Sequence, residues 1–283
     1  MGQMNKTLQM RSVSLCGAGH SGSTLLGMIL GGHSSAFYMG EGGKVRYLHD
    51  ERKPMRKRVC KICGDACPVW SKFHWDQTHA LYPQVADHVG VSMIVDTTKD
   101  ERWIAARSEE MREAGGVPAL LFLTRDGRAV VNSRIRKYPE RDPSDQIRQW
   151  ADKIGTSETL FNAFDGPKMR VRYEELATDP EAVTRQVCDL LEIEYEPDML
   201  RFDERPQHVL GGNSGTQFLV ARNQFENPQD AFVSLGDRTR DYYGEHAGGI
   251  SLDLRWKQEL SSEHEALFEK LAGRANAELK WEA

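Results

Sequence analysis

A glycine-rich stretch that carries several hydroxyl side chains lies near the start of the chain, in Cys16-Gly-Ala-Gly-His-Ser-Gly-Ser-Thr-Leu-Leu26. It directly follows a short apolar strand pattern and opens a helical one. Small residues allow backbone N–H groups to converge, and the start of a helix adds a partial positive charge. The stretch is therefore predicted to bind a phosphate or a phosphosulfate.

One residue of this stretch departs from the usual phosphate loop. The pattern G-x-x-x-x-G-K-[ST] is matched at Gly17, Gly22 and Thr24, but Ser23 stands where the lysine belongs. That lysine normally reaches the β- and γ-phosphates of a nucleoside triphosphate. A nucleotide without a γ-phosphate does not need it. The alternative is a turn that only packs closely, but such a turn has no need of the hydroxyls at Ser21, Ser23 and Thr24.

A second candidate anion site follows the strand pattern that ends at Thr124. Arg125 leaves that strand at its carboxyl end, where open α/β sheets bind ligands. Ser133 lies about two helical turns further along. An arginine fork together with a hydroxyl suits a compact dianion such as a sugar 3′-phosphate. Without its position after a strand, the pair would be indistinguishable from an ordinary surface arginine and serine.

Three segments together resemble the sulfotransferases that use 3′-phosphoadenosine 5′-phosphosulfate (PAPS). Gly17-x-x-x-Ser-Gly-Ser-Thr24, followed by His33-Ser-Ser-Ala-Phe-Tyr-Met-Gly-Glu41, resembles the family's 5′-phosphosulfate loop, particularly in the carbohydrate and tyrosylprotein branches. Arg125 and Ser133 are similar in spacing to its 3′-phosphate motif. Val171-Arg-Tyr-Glu-Glu-Leu176 resembles a segment whose tyrosine contacts the adenine; an aromatic residue that closes the core is the alternative.

The resemblance implies a fold, a co-substrate and a set of binding residues. The fold would be a three-layer α/β sandwich with a central parallel sheet, similar to that of the P-loop nucleotide kinases. The co-substrate would be PAPS, and the product would be 3′-phosphoadenosine 5′-phosphate (PAP). The implied binding residues are Gly19, His20, Ser21, Gly22, Ser23, Thr24, Leu25, Arg125, Ser133 and Tyr173.

Sulfuryl transfer needs a base for the acceptor and positive charge near the bridging and leaving oxygens. Glu41 is the candidate base, because its spacing from the loop resembles that of the glutamate base in the tyrosylprotein branch. Lys99 follows a strand pattern and resembles the lysine of the family's Ser-Lys or Asn-Lys element, so it could neutralise the sulfonate. A surface glutamate before a Gly-Gly turn and a solvated lysine at a helix start are the alternatives.

His20 is a departure from the family, which mostly has Lys or Arg at this loop position. Histidine could donate to the bridging oxygen only as imidazolium, a form that neighbouring phosphates would favour. We therefore hypothesise that His20 is the donor to the leaving group. The alternative is that only its backbone matters.

Three of the five cysteines are spaced like metal ligands, in Cys60-Lys-Ile-Cys-Gly-Asp-Ala-Cys67. Cys63 lies between the other two. A zinc site held by three thiolates needs a fourth ligand. Three histidines are available: His49, His74 and His79. Zinc is one interpretation, and a redox-labile or merely buried set of thiols is the other. A solvated basic run, Arg52-Lys-Pro-Met-Arg-Lys-Arg58, precedes the cluster and could recognise an acidic acceptor.

The elements that must position these residues alternate between strand and helix. Four short apolar strands are predicted, at Val13–Cys16, Met93–Asp96, Ala119–Thr124 and Met169–Arg172. Helices are predicted at Ser23–Leu30, Glu101–Glu113, Gly127–Lys137, after Thr178-Asp-Pro-Glu, and at Leu260–Leu271. This alternation indicates a parallel sheet covered on both faces. We expect one domain over residues 1–283, with a cysteine-containing insertion at about 42–92.

The region from about 201 to 256 is predicted to complete the cofactor and acceptor sites. It has weak periodicity and contains His208-Val-Leu-Gly-Gly-Asn213 and an arginine-rich stretch up to Arg240. The pattern gives these residues no individual roles.

Composition narrows the classes of function. The chain has 283 residues and a formal net charge of −5, which argues against nucleic-acid binding by bulk charge. Its longest clean apolar run has five residues, too few to span a membrane. With no recognisable export signal and an odd number of cysteines, a cytoplasmic protein is expected. The pattern does not address oligomeric state.

The most favoured function is transfer of a sulfonate from PAPS to a hydroxyl, or less readily an amine, of a small-molecule, carbohydrate or peptide acceptor. One alternative is a P-loop-type small-molecule kinase, which the serine at position 23 disfavours. Another is a noncatalytic, zinc-stabilised nucleotide-binding module, which the presence of both Glu41 and Lys99 disfavours.

Overall fold

A computed structural model describes residues 9–233, 235 and 250–282. Five parallel strands form one sheet in the order β2-β3-β1-β4-β5. The strands are β1 (Arg11–Cys16), β2 (Ala36–Gly40), β3 (Met93–Asp96), β4 (Val117–Thr124) and β5 (Lys168–Arg172). The central position of β1 places the loop that follows it in the middle of the sheet's carboxyl edge. The predicted α/β class with a central parallel sheet is confirmed.

Helices flank the sheet and connect its strands. They are α1 (Ser23–Gly31), α2 (Met55–Arg58), α3 (Leu81–Val89), α4 (Glu101–Glu113), α5 (Gly127–Lys137), α6 (Pro143–Ala163), α7 (Tyr173–Thr178), α8 (Pro180–Leu191), α9 (Ser214–Gln224), α10 (Trp256–Glu259) and α11 (Ser262–Asn276). Short 3-10 helices cover Gly42–Tyr47, Pro197–Glu204 and Pro228–Asp230. Among the residues described, no helix is both long enough and apolar enough to cross a bilayer.

The apolar core is divided into two layers by the sheet. Along β4, alternate side chains point to opposite faces, as the pleat of a strand requires. Leu121 and Leu123 therefore join a larger cluster that also contains Leu15 of β1, while Leu120 and Phe122 join a smaller one. Both faces of the sheet are buried, which explains why its strands are continuous apolar runs in the sequence.

The predicted strands and helices are found with small differences at their ends. β3, α4 and α5 have the predicted bounds, and β1 and β4 each begin two residues earlier. The segment before Glu41, which is not among the four predicted strands, is the edge strand β2. Glu41 itself lies just beyond the carboxyl end of that strand. The closing helix is displaced, because α11 begins at Ser262 and continues to Asn276.

One long helix, α6, was missed in the sequence. Its start is marked by Asp142, whose carboxylate accepts backbone N–H bonds from Ser144 and Asp145, and by Pro143 in the first turn. The ring of Trp150 on its buried face packs against Phe268 of α11, with ring centroids 5.3 Å apart. The local pattern does not predict this helix, because its exposed face is so polar that the apolar stripe is diluted.

Candidate active site

The carboxyl ends of all five strands meet at one edge, where they surround a cavity of about 360 Å³. Each strand is followed by a residue or segment that the sequence singled out. The glycine-rich loop follows β1, Glu41 follows β2, Lys99 follows β3, Arg125 follows β4 and Tyr173 follows β5. All the predicted binding and catalytic residues except Ser21 line this cavity. The site is thus a product of the parallel topology.

Two glycines give the loop after β1 its path. Gly17 has φ +125°, and a Cβ there would lie 2.2 Å from the carbonyl oxygen of Leu123. Gly22 has φ +93°, and its Cβ would lie 2.6 Å from the ring of Tyr173. The first turn of α1 follows directly, and no side chain in the described part of the chain caps it. The N–H groups of this turn therefore face the cavity as donors for an anion.

The hydroxyls of the loop have different surroundings. The Oγ1 of Thr24 accepts a 2.8 Å hydrogen bond from the backbone N–H of Asn213, which connects the loop to the segment before α9. Ser21 is 1% exposed and lies beneath the loop, outside the cavity lining. Within the described residues its Oγ has no hydrogen-bond partner.

The second predicted anion site contacts the first one through His20. The Nδ1 of His20 lies 2.8 Å from the Oγ of Ser133 on α5. Arg125 donates from Nη1 to the backbone oxygen of His20 at 3.2 Å, and its guanidinium lies 4.1 Å from the ring centroid of Tyr173. Its Nε is buried and has no partner among the residues described. Arg125, Ser133 and the loop therefore form one continuous surface.

A segment near the C-terminal end closes this part of the cavity, and sequence reasoning assigned it no residue. Arg125 donates from Nη2 to the backbone oxygen of Asp253 at 2.9 Å. The hydroxyl of Tyr173 donates to the backbone oxygen of Ser251 at 3.1 Å. Ser251 and Asp253 both lie in the region from about 201 to 256 that was expected to complete the site, but no local pattern singles them out, because they approach the sheet only through the tertiary fold.

Two further lining residues, Lys137 and Tyr138, lie at the end of α5. Lys137 is four residues beyond Ser133, and residues four apart share a helix face. This spacing could have identified Lys137 in the sequence. On the opposite side, Gly212 and Asn213 line the cavity, as expected for the segment that begins at His208. In the arginine-rich stretch up to Arg240, Arg222 lies on α9, whereas residues 236–240 lie outside the described residues.

A buried aspartate positions the two catalytic candidates that follow β2 and β3. Oδ1 of Asp96 accepts bonds from the backbone N–H groups of Gly42 at 3.0 Å and Thr98 at 2.6 Å. These two residues flank the candidates in sequence, Gly42 next to Glu41 and Thr98 next to Lys99. Asp96 therefore holds the ends of two neighbouring strands together.

Glu41 is surrounded by lysines. Its Oε2 lies 2.7 Å from the Nζ of Lys44, and burial alone would raise the pKa of this carboxyl. The charges of Lys44, Lys99 and Lys61 outweigh burial and hold the pKa of Glu41 below its ordinary value. Glu41 is consequently ionised at neutral pH, the state that a general base requires.

Lys99 and His20 have lowered pKa values. Burial is the largest cause for the lowered pKa of Lys99, and the carboxylates of Glu41 and Asp96 oppose it. Burial, followed by Lys137, Arg134, Lys99 and Arg125, lowers the pKa of His20 to about 3. In the protein without a bound anion His20 is therefore neutral, so the imidazolium form that our hypothesis needs depends on a nearby phosphate.

The cysteine cluster forms beside this site, but with a different histidine from those the sequence offered. The ligand atoms of Cys60, Cys63, Cys67 and His208 all lie within 4.8 Å of one another. The histidines proposed as fourth ligand are engaged elsewhere. His49 contacts the backbone oxygen of Phe73 at 2.9 Å and stacks on His74, while His79 contacts Asp76.

Comparison with known sequences identifies the family. The sequence model of the sulfotransferase family matches residues 13–197, well over half of the chain. The chain therefore belongs to the sulfotransferase family. Among curated protein sequences, no significant match was found.

Solved structures show the same fold. The sulfotransferase domain from the curacin biosynthetic pathway is similar at 19% identity and a TM-score of 0.53, covering 94% of this chain and 98% of that one. The sulfotransferase domain from the Synechococcus PCC 7002 olefin synthase is similar at 17% identity and a TM-score of 0.54, covering 96% and 98%. At these identities the likeness establishes the fold alone.

Proposed function

We propose that this protein transfers a sulfonate from PAPS to a hydroxyl, or less readily an amine, of a small-molecule, carbohydrate or peptide acceptor and releases PAP. The observation that carries the proposal is the meeting of two anion-binding motifs at His20. The loop that contains His20 offers N–H donors for the 5′ group of a nucleotide. The ring of His20 contacts Ser133, and its backbone oxygen accepts a hydrogen bond from Arg125. A nucleotide with phosphate groups at both its 3′ and 5′ positions matches this arrangement.

The residues present fit such a ligand. Arg125 has a buried Nε with no partner in the described structure, although its other nitrogens are hydrogen-bonded. The uncapped first turn of α1 offers further N–H donors. Residues 19–25 would hold the 5′ group, Arg125 and Ser133 the 3′-phosphate, and Tyr173 the adenine. Ser21 would act through its backbone, because its side chain is buried below the loop.

Three residues of the chain have separate roles in the proposed reaction. When bound, PAPS supplies the sulfonate group and the leaving PAP. Glu41, ionised among its lysines, accepts the proton of the acceptor hydroxyl. Lys99 stabilises negative charge on the sulfonate oxygens. His20, once protonated, donates a hydrogen bond to the bridging oxygen of the leaving group.

The kinase alternative is weaker because the loop holds Ser23 where a lysine would contact the γ-phosphate. A purely nucleotide-binding module is weaker because it has no need for an ionised carboxylate and a lysine at the same cavity. Accordingly, transfer should not depend on added Mg²⁺, in contrast to phosphoryl transfer from ATP.

Calorimetric titration with three nucleotides tests the proposal. We expect PAP to bind at least tenfold more tightly than 5′-ADP, which lacks the 3′-phosphate, and than ATP·Mg. The variants Arg125→Ala and Ser133→Ala should lose most of this preference, since each removes a donor to the 3′-phosphate. Arg148→Ala, on an exposed face of α6, is the control and should bind PAP as the wild type does.

Turnover is then measured as the release of PAP from PAPS, with an alcohol, a carbohydrate and a tyrosyl peptide as acceptors. Tighter binding of ATP·Mg than of PAP would favour the kinase. Tight PAP binding without turnover of any acceptor would favour the noncatalytic module.

A further inference from the structure

We propose that Cys60, Cys63, Cys67 and His208 form a structural Zn²⁺ site that fixes the segment 208–213 over the cavity. The first half of the proposal, the metal site, stands on the geometry of these four side chains. The second half, its effect on the cavity, rests on the proposed function, because it is measured through PAP binding.

The distances from the histidine nitrogen to two of the sulfurs are those of a tetrahedral zinc site. Nδ1 of His208 lies 3.3 Å from the Sγ of Cys63 and 3.5 Å from the Sγ of Cys67. With Zn–S bonds of about 2.3 Å and a Zn–N bond of about 2.0 Å, tetrahedral angles place sulfur and nitrogen roughly 3.5 Å apart and two sulfurs roughly 3.8 Å apart. All four atoms lie within 4.8 Å of one another, so one ion can reach them all.

The backbone around the first two cysteines is shaped to present thiolates. The N–H groups of Ile62 and Cys63 both point to the Sγ of Cys60 at 3.4 Å. Gly64 completes the turn with φ +75°, and its N–H bonds to the backbone oxygen of Cys60. Such N–H donors stabilise negative charge on sulfur, which a metal-bound thiolate carries. A set of thiols buried only for packing does not require them.

The third cysteine and the histidine are held in the same way. The N–H of Trp70 points to the Sγ of Cys67 at 3.5 Å, and its indole Nε1 donates to the backbone oxygen of His208 at 2.7 Å. Gln224 of α9 points its Nε2 to the Sγ of Cys63 at 3.4 Å. These contacts orient the ligands from outside, as second-sphere partners do in metal sites.

The donor set selects the metal. Three thiolates and one imidazole gathered within 4.8 Å match structural zinc, and four protein ligands leave no open position for catalysis. Cys60 and Cys67 have no exposed surface, so the ion would lie at the edge of the core. The ligands come from the connection between β2 and β3 and from a segment 141 residues beyond Cys67. One ion would therefore join two distant parts of the chain.

The segment that follows His208 runs directly to the active site. The N–H of Leu210 donates to the backbone oxygen of Met39 in β2 at 3.0 Å, and the N–H of Asn213 donates to Thr24 at 2.8 Å. A Cβ on Gly211 would lie 2.7 Å from Oε2 of Glu41, so the backbone lies against the candidate base. Fixing His208 with a metal thus fixes a wall of the cavity.

Metal analysis of protein purified without a metal-affinity step tests the first half. We expect about one zinc per chain by mass spectrometry, and X-ray absorption fitted by three sulfur ligands and one nitrogen ligand at about 2.3 and 2.0 Å. His208→Ala should lose most of the zinc and His208→Cys should retain it. His79→Ala, an exposed histidine, and Cys188→Ser, a buried cysteine elsewhere, are the controls and should keep the full zinc content.

If a variant fails to fold, the X-ray absorption spectrum of the wild-type protein still tests the metal site. A zinc content below roughly one tenth per chain, or a disulfide between two of the three cysteines in the freshly purified protein, would overturn the metal site. X-ray absorption that shows no sulfur ligand on the zinc would also overturn the metal site.

PAP binding tests the second half. We expect His208→Ala to weaken PAP binding roughly tenfold and to increase hydrogen exchange in residues 208–213, while His79→Ala changes neither. Unchanged PAP binding in zinc-free His208→Ala would overturn the effect on the cavity and leave the metal site standing. Failure of the wild type to bind PAP would instead contradict the proposed function, with the zinc content unaffected.

Discussion

The positive charge of Lys99 acts in opposite ways on two ionisable side chains of the cavity. Lys44 and Lys99 keep Glu41 ionised, because a carboxylate is stabilised by nearby cations. Burial is the largest cause that lowers the pKa of His20 and keeps it neutral, and Lys99 adds to it, because a nearby cation destabilises an imidazolium. In the absence of a nucleotide the cavity therefore holds a charged carboxylate, the candidate base, and an uncharged histidine. An anion that enters it would relieve the repulsion on His20.

Glu41→Gln is predicted to lower kcat by roughly a hundred- to ten-thousandfold, because the amide cannot accept the acceptor's proton. The affinity for PAP should change little, since PAP does not need the base. In the wild type, kcat should fall as the pH falls through the lowered pKa of Glu41 and protonates it. PAP release and calorimetry measure the two quantities. The exposed Glu51→Gln serves as control, and an unchanged kcat in Glu41→Gln would remove the assignment.

PAP binding at pH 6 is predicted to take up close to one proton at His20. The free protein holds this ring neutral, because burial and neighbouring cations lower its pKa to about 3. Bound phosphates favour the charged ring and raise the pKa, so a proton must enter from solvent. Titrations in two buffers of different ionisation enthalpy give the number of protons. His20→Asn supplies the baseline from the phosphates themselves, and an equal uptake in both proteins would exclude the imidazolium role.

At the scale of the element, strand ends and tight turns determine where the functional groups stand. The glycine-rich loop can pass between β1 and α1 only because Gly17 and Gly22 adopt positive φ and lie against neighbouring groups. The strand ends at Glu41 and Lys99 are joined by Asp96. The glycines in the sequence identified the loop. By contrast, no sequence pattern distinguishes Asp96 from an ordinary residue at the end of a strand.

Gly22→Ala is predicted to destabilise the protein by about 1–3 kcal/mol, because alanine is strained at this φ. Its Cβ would also lie 2.6 Å from the ring of Tyr173, which should displace the tyrosine and weaken PAP binding. Gly19→Ala is the matched control from the same loop, since its Cβ would meet nothing within 4 Å. Denaturant unfolding measures both variants. Equal stability of the two would contradict the role assigned to the backbone of Gly22.

Asp96→Asn is predicted to cost about 1–3 kcal/mol of unfolding free energy and to lower kcat as well. Asp96 accepts four bonds, two from backbone N–H groups, one from the Tyr82 hydroxyl and one from the Trp103 indole. An asparagine places an NH₂ group against some of these donors, which leaves buried N–H groups unsatisfied. Asp87→Asn, on the exposed face of α3, should change neither quantity. Normal stability and normal turnover in Asp96→Asn would refute this positioning role.

At the scale of the whole molecule, the net charge of −5 conceals a cavity in which cations outnumber carboxylates. Among the described residues, four cationic side chains line it, those of Lys99, Arg125, Lys137 and Arg255, against the two carboxylates of Glu41 and Asp253. A molecule with this distribution attracts a small, highly charged anion locally and repels an extended polyanion. Bulk charge and local charge thus have different consequences for the ligands the protein can bind.

PAP affinity is predicted to fall roughly tenfold as NaCl rises from about 0.05 to 0.5 M, because salt screens the charges that hold PAP. Duplex DNA should not bind measurably at about 0.15 M NaCl, where a basic surface would still retain it. Lys137→Ala should weaken PAP binding and reduce its dependence on salt. Lys57→Ala, on the exposed helix α2, should leave both unchanged. A salt-independent PAP affinity would contradict an electrostatic cavity.

The sequence by itself determined four of the five strands that the structure describes and their parallel arrangement, and it identified many of the residues that face the cavity. Apolar strands that alternate with helices can form only a parallel sheet, and the residue after each strand then lies at one edge. For that reason the loop after β1, Lys99 after β3 and Arg125 after β4 could be placed from local pattern alone. The end of a strand fixes the position of the residue that follows it, so no long-range contact has to be known to place that residue at the edge of the sheet.

The tertiary structure alone decided which distant residues complete these groups. His208 joins Cys60 and Cys67, and Asp253 meets Arg125, across more than a hundred residues of chain. It also decided that His20 is neutral before a ligand binds, because its pKa depends on burial and on cations from α5 and β3's end. Contacts and electrostatic fields of this kind depend on distances in space, and separation along the chain does not encode them.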